Sequence, residues 1–136
     1  MKAYLSLLFM TFLAYGANSF ASHLDHNDGA RNWAAAANVA YQLADLGEYW
    51  QRSGSGYLLS DAAKKLHRAA SDLYYTLRDQ ARNEMRSLDH SDSPYKTVHQ
   101  KLGLVAWRVV EFTDVAPRRA ASRANYLYNE LDRYLR

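Results

Sequence analysis

From residue 29 onward the apolar positions return every three or four residues, the period that lays one face of an α-helix against a core. The rhythm is cleanest over 94–115, where Tyr95, Val98, Leu102, Val105, Val109, Phe112 and Ala116 are spaced alternately by three and four. The same stripe runs through Ala36, Val39, Leu43, Leu46 and Trp50, through Leu66, Ala70, Leu73 and Leu77, and through Ala120, Ala124, Leu127, Leu131 and Tyr134. Helix breakers fall between these runs, as "SGSG" at 53–56, "DHSDSP" at 89–94 and "AP" at 116–117. The pattern predicts four helices, near 29–52, 60–88, 94–115 and 118–135. Short connections make consecutive helices antiparallel neighbours, so the expected fold is an all-α, up-down-up-down four-helix bundle. Pro117 either opens the fourth helix or kinks one long one.

Several phrases recur in order. "LDHND" at 24–28 returns as "LDHSD" at 88–92, "VAYQLADL" at 39–46 as "VAWRVVEF" at 105–112, "RAAS" at 68–71 again at 119–122, and "LYYTLRDQAR" at 73–82 as "LYNELDRYLR" at 127–136. Two related helical hairpins account for this, the second with the shorter connection.

The first 21 residues break the pattern. Lys2, the apolar run from Tyr4 to Tyr15 and the small residues of "SFA" have the layout of a secretory signal cleaved after Ala21. Twelve apolar residues are too few to span a bilayer as a helix. The expected mature chain is one domain, 22–136, in the periplasm or secreted, with no transmembrane segment. With no cysteine, disulfides, lipoprotein anchoring and c-type haem attachment are excluded. The formal charge of +3, or +2 without Lys2, is too mild to point to nucleic acid. Arg118, Arg119 and Arg123 concentrate it locally, a basic patch suited at most to weak contact with an anionic surface.

Candidate chemistry is sparse. In the bundle the two "LDHxD" segments share one end, where helix 2 brings Gln80 and Glu84 to positions at which apolar residues are expected. His23, His26, Asp28, Glu84, His90 and Asp92 therefore compose a candidate site for a divalent ion such as zinc, copper or nickel. The competing reading, which we prefer, is local: Asp28 and Asp92 or Ser93 cap helices, Pro94 fits a first turn, and Leu24 and Leu88 act as staples. A b-type haem would need His67, His99 or Met85 facing inward, and all three fall on the flanks of their stripes. Nucleophile elbows, glycine-rich phosphate loops and Glu-x-x-His pairs are missing from the sequence, which argues against an enzyme.

A second stripe runs along the odd helices away from the seam. Ala37, Tyr41, Ala44 and Glu48 in the first helix correspond to Gly103, Trp107, Val110 and Asp114 in the third. Aromatics flanked by small residues on an outer face suit contact with another chain. The expected function is therefore non-enzymatic: binding a protein partner or a second copy through Tyr41, Ala44, Glu48, Trp107, Val110 and Asp114. A divalent-metal protein is the alternative, and a haem carrier a distant one.

Overall fold

A computed structural model of the chain describes residues 28–86 and 94–136. They form four helices, α1 (Asp28–Arg52), α2 (Tyr57–Arg86), α3 (Pro94–Val115) and α4 (Arg118–Leu135), and among the described residues there is no strand. The proposed leader, the "LDHND" segment up to Asn27 and residues 87–93 lie outside the described residues. No helix among the described residues is long and apolar enough to cross a membrane.

The breaker clusters act locally as their chemistry requires. Gly54 and Gly56 take φ of +74° and +105°, a region that side chains with a Cβ rarely enter. The Ser60 amide donates to the Gly56 carbonyl at 3.0 Å, so α2 starts at Tyr57, three residues before the start expected from the sequence. The Ser60 hydroxyl donates back to the Gln51 carbonyl at 3.0 Å and ties the hairpin shut. At the other break Pro117, with ψ of 151°, stands immediately before Arg118 as the N-cap of α4. The chain thus makes two helices there, not one bent helix.

One apolar core runs through all four helices. The stripes foreseen from periodicity supply it: Ala36, Val39, Leu43, Leu66, Ala70, Leu73, Leu77, Val98, Leu102, Val105, Val109, Phe112, Ala120, Ala124, Leu127 and Leu131 are all buried. Tyr95 departs from that expectation. It is exposed, because at the first turn of α3 the stripe runs past the end of the core. Its ring lies 5.1 Å from that of Trp33, which is buried in its place. Leu46, Trp50 and Tyr134 are only partly buried, packed on the core's rim.

Each helix packs on its neighbours in the chain and α4 closes against α1, while α1 with α3 and α2 with α4 meet only marginally. The α1–α2 contact is by far the most extensive. Along it the Gln51 carbonyl meets Ser60, Gly47 meets Ala63 and His67, the Ala44 carbonyl meets His67, and Tyr41 meets Tyr74. Gly47 is the pinch point: a Cβ placed there would lie 2.7 Å from the His67 nitrogen and 2.8 Å from the Ala63 oxygen, both main-chain atoms. On the next side of the bundle, Lys101 bridges α3 to α2, its Nζ donating to Asp72 at 3.1 Å and to the Thr76 hydroxyl at 2.8 Å.

Candidate functional site

The stripe on the odd helices does not lie in one environment. On α1, Ala37 and Ala44 are buried, because their small side chains let α2 approach closely enough to cover them. Ala44 is therefore part of the α1–α2 contact and not an outward-facing partner residue, which corrects the sequence expectation. Glu48, half-buried, pairs with Arg52 one turn on at 2.9 Å. Tyr41 remains 57% exposed, but its ring meets that of Tyr74 edge-on at 5.4 Å. Tyr74 in turn contacts Tyr75, and the Arg78 guanidinium lies 5.7 Å and 4.9 Å from the two ring centres. Tyr41 thus belongs to a tyrosine–arginine patch across α1 and α2 that the one-helix stripe did not reveal.

On α3 the row is open. Trp107 is 65% exposed and Val110 60%, with Leu104 at 45% beside them. Gly103 and Asp114 are exposed as well, and a Cβ added at Gly103 would meet nothing within 4 Å. Arg108 and Glu111 pair at 2.6 Å on the flank, one turn apart on the helix. An indole this exposed, with a leucine and a valine one turn to either side, is an apolar strip that water solvates poorly. The Tyr41 patch is built from α1 and α2, whereas the Trp107 strip belongs to α3 alone.

The residues considered for metal binding fare differently. His23, His26, His90 and Asp92 lie outside the described residues. Asp28 opens α1 and Glu84 lies in the last turn of α2, but their side chains, like that of Met85, are not among those described. Among the described residues no three histidine, aspartate or glutamate side chains cluster in the manner of a metal site. Gln80 is half-buried, and Ala81 carries the α2 stripe past it into the core.

Of the histidines considered for haem, His99 is exposed on α3. His67 is half-buried with Nδ1 2.8 Å from the Ala44 carbonyl oxygen. A carbonyl can only accept, so Nδ1 carries the proton and the ring clips α2 to α1. Its structural role predicts that His67→Ala lowers unfolding free energy by about 1 kcal/mol, the net worth of such a bond. Urea denaturation followed by circular dichroism checks this; an unchanged midpoint would remove the clip.

In the basic patch Arg118 and Arg119 are exposed, whereas Arg123 donates to the Gln42 side-chain oxygen at 3.0 Å and joins α4 to α1. Trp33 is the largest feature that periodicity missed. It is buried with its indole N–H unpartnered among the described residues. It sits at the start of α1, before the regular stripe begins, where a three-four count has too few turns to register it.

Comparison with known protein families, with curated proteins and with solved structures finds no significant match.

Proposed function

We propose that this is an exported, non-enzymatic helical-bundle protein that works by binding another chain, a protein partner or a second copy, through the outer face of α3. The exposed indole of Trp107, between Leu104 and Val110, carries the reading. Each of those apolar side chains loses unfavourable hydration when covered, at roughly 25 cal/mol per Å², and large aromatics on a rigid helix give up little entropy on binding. Export rests on the leader-like residues 1–21, with Ser22 as the mature start and the periplasm as the destination.

The reading includes an antiparallel, up-down-up-down arrangement of two related hairpins. Two observations support it. As α1 descends from Gln51 to Tyr41, its contacts on α2 climb from Ser60 to Tyr74. The helix breaks also fall where two hairpins need them. Gly47 of the first hairpin corresponds to Thr113 of the second. That difference supplies a reason for the second hairpin packing less closely and leaving its row of Gly103, Trp107 and Val110 open.

Native mass spectrometry of the untagged chain from the exporting cell, with photo-cross-linking from position 107, tests the proposal. The expected result is a chain starting at Ser22 whose association is lost in Trp107→Ala. Thermal unfolding of that variant should stay within about 0.5 kcal/mol of wild type, as for other surface changes. A monomer that forms no adduct from position 107 would overturn it.

A further inference from the structure

Resting on that reading, we infer that the partner of the α3 face is a second copy of the same chain, with the two α3 helices antiparallel about a two-fold axis level with Val105. The exposed row on α3 is longer than the sequence stripe. Lys96, Gln100, Gly103, Trp107, Val110 and Asp114 are all exposed, and their spacing reads four, three, four, three, four. That spacing is the seam of a coiled-coil helix, and it is the same read from either end. A seam of this kind can face its own reversed copy, so that one patch serves both sides of a closed, isologous dimer.

The chemistry along the row is complementary to itself in that register and in no parallel one. Reversal about Val105 puts Trp107 of one copy over Gly103 of the other, twice. The open space around the missing Cβ of Gly103 is where an indole would lie. The same reversal puts Lys96 opposite Asp114, also twice, one at each end of the strip. Neither makes an ion pair with another described residue. Gln100 stands opposite Val110 with its aliphatic stem available, and the two copies of Leu104 meet beside the axis. A parallel pairing would set Lys96 against Lys96, Trp107 against Trp107 and Asp114 against Asp114, repelling at both ends and leaving both Gly103 gaps unfilled.

The contact is small. One 22-residue helix is about 33 Å long at 1.5 Å per residue, and its face covers less than the roughly 800 Å² per partner of a standard interface. Association is therefore expected in the micromolar range, as a concentration-dependent dimer.

Sedimentation equilibrium of the mature chain over a wide concentration range is the test. Wild type is expected to dimerise, and Gly103→Leu to weaken the dimer at least tenfold by filling the space the indole needs. Because nothing surrounds Gly103 and leucine is the better helix former, that variant should unfold no more easily than wild type. At low salt, Lys96→Asp and Asp114→Lys are each expected to weaken the dimer several-fold. The double swap restores the pairing, and the difference fades in high salt as screening shortens to roughly 3 Å at 1 M. A chain monomeric throughout would overturn the inference. So would a dimer indifferent to Gly103→Leu or not rescued by the double swap. A monomer whose position 107 still cross-links to a different protein overturns the second copy as partner and leaves the partner-binding reading standing.

Discussion

Replacing Gly47 by leucine is expected to cost more than about 3 kcal/mol of the 5–15 kcal/mol that holds a typical domain folded. The cause is geometric. A single added carbon at Gly47 would already lie 2.7 Å and 2.8 Å from main-chain atoms of His67 and Ala63, and 3.0 Å from the His67 Cα. Backbone inside a helix cannot step aside as a flexible side chain can, so the helices must separate. Separation would open the α1–α2 contact along Ala44 and Tyr41 and pull His67 from the Ala44 carbonyl. Gly47→Ala balances two effects. Alanine gains about 1 kcal/mol in helix propensity, but overpacking costs about 1–3 kcal/mol, so a net loss is expected. Leucine adds three more carbons to a place that has no room for one. Urea unfolding monitored by circular dichroism decides it: a leucine variant with the wild-type midpoint would mean that α1 and α2 do not approach so closely.

How much of this was legible beforehand follows from what periodicity measures. A stripe of apolar residues at three-four spacing reports which face is covered, so the seams of all four helices were readable, and so were two of the breaks. It does not report how closely two helices approach. Gly47 lies amid small residues that look alike on a wheel, and only the partner helix reveals which of them is squeezed. For the same reason Ala44 read as an outer position when it is covered by α2, whereas Val110, with which the proposed repeat aligns it, is exposed. The Tyr41 patch escaped because its other members, Tyr74, Tyr75 and Arg78, come from a different helix. Trp107 was legible as a large aromatic off the seam, and it is the part of the candidate site that the fold leaves open.

Phe112→Ala should produce a loss of comparable size by the opposite route, removing volume instead of adding it. Phe112 is fully buried and is the bulkiest of the side chains so enclosed, with its carbonyl accepting from the Ala116 amide at the end of α3. Truncating a phenylalanine in a core costs about 3–5 kcal/mol, from lost transfer energy and from the cavity that close-packed neighbours cannot refill. Trp107 lies five residues earlier on the same helix, about 140° around it at 3.6 residues per turn, and is mostly in water. The pair therefore separates the core packing of α3 from the association proposed for its outer face. Phe112→Ala is expected to unfold at much lower urea yet still associate while folded, because the outer row from Lys96 to Asp114 is untouched. Trp107→Ala is expected to keep its urea midpoint and lose association. Measuring both midpoints beside both sedimentation profiles gives a two-by-two result, and each quadrant has a meaning. If Trp107→Ala also lost stability by several kcal/mol, its indole would be part of the core and the open face would vanish. If Phe112→Ala were neutral, α3 would not be anchored by its inner stripe, and the orientation that presents Trp107 outward would have no support.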